Sequence, residues 1–310
     1  MGKLAPRPLP SPADLDALWQ RSPTRAPFTH PAAVAAYARA FDLEAGAVAL
    51  GDGTAAMPTL VKRRGPFRAA ALPPLAPVWR PLLEAAPTEA QTHARTSPLD
   101  RLISDLEDAA DQLTLVLEDD DVRPYAWAGW TATPRFSYRL ALEGEVAAGF
   151  SSAVRRTVKK EAGAFEVVKD GALASEAVRL MTDSYRRQGS DLGLEDDAVT
   201  GLAEAFVNAG LARVVGARRG STLEAAVVVA HDGRTAFYWI AGSVPGPAMT
   251  VLLADTLSTL AGDLEAFDFC GANTPSIAEF KRRFGPSLAP APIVRRVTSP
   301  ALRALDRLRE

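Results

Sequence analysis

The sequence contains a single cysteine, Cys270, which excludes an internal disulfide and any structural zinc site built on cysteine. Its three histidines, His30, His93 and His231, are too far apart to form an H-x-x-x-H pair, so no metal is expected. No apolar run approaches the roughly 18 residues that span a bilayer. The opening M-G-K-L-A-P-R-P-L-P-S-P is broken by prolines and does not read as a signal peptide, so the expected compartment is the cytoplasm. Charge of one sign is also missing. With 35 Lys and Arg against 37 Asp and Glu, the formal net charge is -2, which argues against a dedicated nucleic-acid binder but allows local basic patches. There is no G-x-x-x-x-G-K-[ST], no G-x-S-x-G, and no G-x-G-x-x-G after a strand. P-loop nucleotide hydrolysis, the serine-hydrolase elbow and zinc hydrolysis are therefore disfavoured. A reaction that mainly positions two reactants leaves no such mark.

What is present is an ordinary globular composition, 47% hydrophobic and 23% charged over 310 residues, enough for two cores of about 150 residues each. The halves share an order of elements. In the first, A-V-A-L and A-A-M-P-T-L-V-K-R-R-G alternate about a turn at Gly51-Asp52-Gly53. A proline-rich loop, a helix capped by Ser97 with Pro98 in its first turn, and a strand L-T-L-V-L follow. In the second half, strands L-A-R-V-V-G-A-R, L-E-A-A-V-V-V-A and T-A-F-Y-W-I-A lead to a helix over 248–261 and a strand E-A-F-D-F-C. Each half opens with helices, at 12–20 and 31–41 and again at 173–187 and 195–209. This order predicts two α/β (α+β) domains, 1–145 and 146–310, each a mixed sheet flanked by helices. Between them P-Y-A-W-A-G-W-T-A-T-P-R-F-S-Y-R-L-A-L reads as one long aromatic strand.

The stretch F-D-F-C-G-A-N-T-P-S-I-A-E-F-K-R-R-F-G, residues 267–285, is the most concentrated. Phe267 and Phe269 share one strand face, and Asp268 and Cys270 the other. Gly271 permits a turn, Asn273 or Thr274 can cap the helix that follows, and Pro275 suits its first turn. Ile277, Phe280 and Phe284 form the expected buried stripe. Lys281, Arg282 and Arg283 read as helix-end charge ahead of phosphate binding, and Gly285 as the stop. Asp268, between two phenylalanines, needs a hydrogen-bond partner or a cleft.

These residues resemble the closing signature of the FemABX-like branch of the GNAT acyltransferase superfamily, a Phe-Asp-Phe-x-Gly strand end followed by a helix carrying Phe-Lys-x-x-Phe-Gly. S-Y-R-R-Q-G-S at 184–190, the aromatic strand, and S-S-A-V-R-R-T-V-K-K after it resemble other passages of that family. P-P-L-A-P at 73–77 matches more weakly, and the similarity covers most of residues 120–297. The resemblance implies two tandem GNAT-like domains and transfer of an acyl or aminoacyl group to an amine on a small molecule or peptide. The donor it implies is acyl-coenzyme A or aminoacyl-tRNA, with tRNA as a partner in the second case. Two departures stand out. The sequence lacks heptads for the helical-hairpin arm of some aminoacyl-tRNA-dependent members. Where a coenzyme-A-dependent member has its phosphate loop, this chain reads Y-W-I-A-G-S-V-P-G-P-A-M-T.

The expected site follows. Asp268 is the candidate proton acceptor or substrate orienter, and Tyr238 the candidate proton donor. Gly242, Ser243 and Gly246 are an expected anion seat at a helix start, although Pro245 and Pro247 supply no N–H. Arg155, Arg156, Lys159 and Lys160 paint one helical face with like charge, which reads either as solvated surface or as a phosphate site. Tyr185, Arg187, Asn273 and Trp239 are placed on the acceptor side; for Tyr238 and Trp239 core packing is the ordinary alternative, and for Arg187 helix-end charge. The competing class is a non-catalytic binding protein that keeps the fold without the donor loop.

Overall fold

Helix starts in this chain are written in short side chains. The computed structural model describes residues 11–118 and 121–307. Ser11 and Asp14 form a reciprocal capping box at the head of α1 (Pro12–Arg21), and His30 Nδ1 accepts from the Ala32 N–H to begin α2 (Pro31–Phe41). The hairpin expected about Gly51–Gly53 is β1 (Glu44–Ala49) and β2 (Ala55–Arg64), paired antiparallel from Glu44↔Val61 to Ala49↔Ala56. There follow β3 (Phe67–Ala70), β4 (Leu82–Leu83), α3 (Glu89–Ala94) and α4 (Pro98–Ala109), the last opened by the Ser97–Asp100 capping box. Then come β5 (Gln112–Val116), α5 (Arg123–Trp127) and β6 (Thr131–Thr133).

The second set begins with β7 (Phe136–Ala141) and α6 (Ser152–Glu161), then β8 (Glu166–Lys169), α7 (Ala174–Arg187) and α8 (Asp196–Asn208). A three-stranded meander follows, β9 (Ala212–Arg219), β10 (Thr222–His231) and β11 (Thr235–Ser243). Helix α9 (Ala248–Leu260) crosses to β12 (Ala266–Asp268), and α10 (Pro275–Arg282) leads to β13 (Ser287–Pro290). The chain then makes β14 (Ile293–Val297) and α11 (Pro300–Arg307).

Two mixed sheets result, one ordered β1-β2-β3-β5-β14-β6 with β4 beside β2, the other β13-β7-β12-β11-β10-β9-β8. Each holds a parallel pair, β3 with β5 and β11 with β12, reached by a helical crossover. The repeated order of three strands, helix and strand is therefore present in both. Each parallel pair is extended by a strand from elsewhere in the chain: β14 joins β5, and β7 joins β12. For that reason contacts divide the chain into residues up to Arg135 together with those from Pro290, and residues Phe136–Ala289, in place of a single cut near residue 145.

The aromatic stretch after residue 124 is not one strand. It forms α5, closes at Gly129 with φ 82, and then supplies β6 to one sheet and β7 to the other. In the second sheet β10 is buried continuously from Ala225 to Ala230, as expected of a strand covered on both faces. Its Ala225, Val227 and Val229 share a core with Leu252, Leu253 and Leu257 of α9 and with Phe267, Phe269 and Phe284.

Candidate active site

β11 and β12 pair for three positions only, ending at Phe237↔Asp268. β11 then continues to Ser243 along β10, while β12 stops and the chain takes two left-handed residues, Cys270 (φ 57) and Gly271 (φ 107). The two parallel neighbours therefore diverge at their carboxyl ends, where the turn after β12 lies. On the β11 side the ladder with β10 shifts register between Val228, paired with Ile240, and Val229, paired with Tyr238, so Trp239 is the extra residue of a bulge. Tyr238 faces the core of α9 and Phe269, and the Trp239 ring packs on Phe206 of α8 at 4.3 Å. Trp239, expected on the acceptor side, is thus 9% exposed and held in the opposite layer.

The turn after β12 is tied to β7. Asp268 is 3% exposed; its Oδ1 accepts from Ser137 Oγ at 2.5 Å and from the Cys270 N–H at 2.7 Å, and its Oδ2 lies 3.7 Å from Arg139. Ser137 Oγ in turn accepts from the Gly271 N–H at 2.9 Å. Burial pushes the Asp268 carboxyl above the usual carboxylate range, against the Ser137 and Cys270 bonds and the charges of Arg139 and Lys281. The carboxylate, expected as a proton acceptor or substrate orienter, has these bonds directed into the protein and toward the turn.

The residue that sequence reading missed is Lys281. Taken as helix-end charge, it is 5% exposed, with Nζ 2.9 Å from the Gly271 carbonyl and 3.3 Å from that of Cys270, and 5.6 Å above the Tyr238 ring. Burial lowers its pKa, opposed by Cys270 and Asp268. The signal was available: Ile277, Lys281 and Phe284 are spaced i, i+4, i+7, which places the lysine on the buried stripe with the aromatics. Burial likewise pushes the Tyr238 phenol well above its ordinary range, with Cys270 and Tyr185 adding in the same direction. Tyr185, at the carboxyl end of α7, is exposed.

Several expected ligand positions are engaged within the fold. A Cβ on Gly242 would stand 2.1 Å from the Leu180 backbone, so this glycine lets α7 approach β11. The Ser243 N–H donates to Ser184 Oγ at 3.3 Å and the Val244 N–H to the Glu224 carbonyl at 2.8 Å. With Pro245 and Pro247 lacking an N–H, residues 243, 244, 245 and 247 offer no free backbone N–H to a phosphate, and of the expected seat the Gly246 amide and the Ser243 hydroxyl are left. Arg187 donates to Ser184 Oγ at 2.8 Å and to the Ser243 carbonyl. Asn273 does not cap α10; its carboxamide accepts from the Phe136 N–H at 3.0 Å and donates to the Phe136 carbonyl at 2.9 Å. On α6 the Arg155 guanidinium is turned to the carbonyls of Phe150 and Ala148, while Arg156, Lys159 and Lys160 are exposed. Arg155 and Lys159 border a groove of about 610 Å³ between α6 and α9. Among the described residues no three His, Cys, Asp or Glu side chains converge as metal donors, and no helix is long and apolar enough to cross a membrane.

Residues 145–282 match the family described as an acetyltransferase (GNAT) domain. The chain is similar in structure to FemX over 95% of its own length and 97% of that chain, at 12% identity and a TM-score of 0.72. L-PGS from Bacillus licheniformis covers 96% of both chains at 11% identity and a TM-score of 0.58. A tandem GNAT protein from the clavulanic acid biosynthesis pathway matches 93% of this chain and 94% of its own at 15% identity, with a TM-score of 0.53. These likenesses are of fold, and they agree with two GNAT-like domains in tandem. No curated protein matches the chain in sequence.

Proposed function

We propose that the chain transfers an acyl or aminoacyl group from an activated donor to an amine, and that the cleft between β11 and β12 is where it does so. The observation that carries this reading is Lys281. An ammonium has three protons, and two are directed at the Gly271 and Cys270 carbonyls, which leaves one for a carbonyl oxygen entering the cleft. When the amine nitrogen attacks, that oxygen gains negative charge, and a fixed cation in a dry site stabilises it without reorganisation. The C–N bond forms and the ester C–O or thioester C–S bond breaks. Tyr238, which burial keeps protonated, is the proposed donor of a proton to the leaving oxygen or sulfur, and is reprotonated from the amine. Tyr185 at the cleft mouth is a proposed acceptor contact.

The loop after β11 favours aminoacyl-tRNA over acyl-coenzyme A, because four of its five residues from 243 to 247 present no amide to a diphosphate. Arg156, Lys159 and Lys160 are the proposed contacts for the RNA backbone. Thermal stabilisation by uncharged tRNA, aminoacyl-tRNA and acetyl-coenzyme A, each added alone, tests the assignment. A ligand at a hundred times its Kd raises stability by about 2.7 kcal/mol. Stabilisation by the aminoacyl-tRNA is the expected result. Stabilisation by acetyl-coenzyme A alone would reverse the choice of donor. Stabilisation by neither would return the chain to the class of binding proteins that keep the fold without the chemistry.

A further inference from the structure

The cup that receives Lys281 is built by a hydroxyl on a different strand. Ser137 lies on β7, 5% exposed, 131 residues from Asp268 in sequence. It has one proton and its oxygen lone pairs. The proton goes to Asp268 Oδ1 at 2.5 Å, and a lone pair takes the Gly271 N–H at 2.9 Å. The same Asp268 oxygen takes the Cys270 N–H at 2.7 Å. Two consecutive amides are therefore tied down at the two residues that adopt left-handed backbone, one of them not a glycine. With the amides held on one side, the two carbonyls of the same residues converge on Lys281 Nζ.

We infer that Ser137 is a positioning residue, whose hydroxyl holds the Cys270–Gly271 turn in the conformation that presents both carbonyls to Lys281. Its effect on transfer rests on the reading of Lys281 given above, while the positioning itself does not. Strand pairing does not need this hydroxyl. β7 and β12 are already registered by Phe267↔Leu140 and Asp268↔Arg139, and the ladder is prolonged by the Phe269 N–H to the Tyr138 carbonyl and the Ala272 N–H to the Phe136 carbonyl. The Ser137 bonds are additional to that ladder and fall on the turn. The charged and titratable groups facing Lys281 are Asp268 from β12, Cys270 from the turn and Tyr238 from β11.

The test compares Ser137→Ala and Ser137→Thr with the parent in the full chain and without substrate. Three quantities are read: hydrogen exchange at the Cys270 and Gly271 amides, the rate at which acetic anhydride labels Lys281, and exchange along the β9–β10 ladder as a control. Loss of the two Ser137 hydrogen bonds should speed exchange at the two amides and labelling of Lys281 by roughly tenfold or more, with the ladder unchanged. Thr keeps the hydroxyl and should restore both. Unchanged protection and unchanged labelling in a folded Ser137→Ala protein would overturn the inference, as would a Thr variant that behaves like Ala. If the Ala variant does not fold, Ser137→Cys keeps the volume with a weak donor and is read in the same way. None of these readouts requires acyl transfer. A cup that opens in Ser137→Ala while Lys281→Met transfers normally would leave the positioning intact and refute the proposed chemistry.

Discussion

Lys281 Nζ donates to the Gly271 carbonyl at 2.9 Å, ten residues back along the chain and on the other side of a helix start. That bond joins the last turn of α10 to the turn after β12, and the Ser137 and Asp268 bonds join that turn to the strands.

This junction depends on aromatic packing behind it. Phe284 is fully buried, edge-on to Phe150 at 5.5 Å and to Phe280 at 5.5 Å, with Phe269 at 5.9 Å. Ile277 and Phe280 are only partly buried, so most of the stripe's weight falls on Phe284. Phe284→Ala should cost about 3–5 kcal/mol, because three rings around it cannot close the space. Urea unfolding checks this, and a loss below about 1 kcal/mol would show that the pocket collapses.

Two glycines are set by backbone approach. At Gly242 an added Cβ would meet the Leu180 backbone at 2.1 Å, and at Gly285, with φ 79, it would stand 2.5 Å from the Gly149 carbonyl oxygen. Gly242→Ala should force α7 away from β11 and destabilise by roughly 1–3 kcal/mol or more. Gly285→Ala should add left-handed strain to a similar clash. Thermal melting of each variant gives the answer, and parent-like stability of Gly242→Ala would contradict the packing described.

A pH effect is expected in the other unit. His30 caps α2 only while Nδ1 is unprotonated, and burial lowers its pKa below 6.5, against the pull of Asp16. Between the lowered folded value and 6.5 the unfolded chain binds more protons, so stability rises with pH in that window and is lost as pH falls through it. His30→Asn, which retains a capping oxygen without the titration, should flatten this slope when unfolding is followed from pH 7 to pH 4. An unaltered slope would assign the effect to other groups.

Much of this fold was legible locally. Helix bounds at 12, 31, 98 and 248 follow from Ser11, His30, Ser97 and the prolines beside them, since caps and proline act within one turn of chain. What a local pattern does not carry is partner choice. Ile293–Val297 looks like any short apolar strand, yet it inserts between β5 and β6, nearly 180 residues after the first. The aromatic run after Pro124 suits a helix turn or a pleat equally, and Gly129 decided where one gave way to the other. At the site, Asp268 was recognisable as a costly residue in apolar surroundings, but Ser137 was not, because a serine on a strand is unremarkable until its partner 131 residues away is known. Lys281 was hidden by its neighbours: beside Arg282 and Arg283 it looked like surface charge, and only its helical phase set it apart.

The central claim is that the buried Lys281 ammonium serves the reacting carbonyl. Its most direct test is acyl transfer from aminoacyl-tRNA to an amine by Lys281→Met and Lys281→Arg, each first confirmed to be folded. Removal of one such donor costs about a hundred- to a thousandfold in kcat. Lys281→Met should show that loss while still being stabilised by the donor. Lys281→Arg should recover only a part of the rate, since a planar guanidinium does not fit a cup shaped for a compact ammonium. Transfer by Lys281→Met at the parent rate would contradict the account.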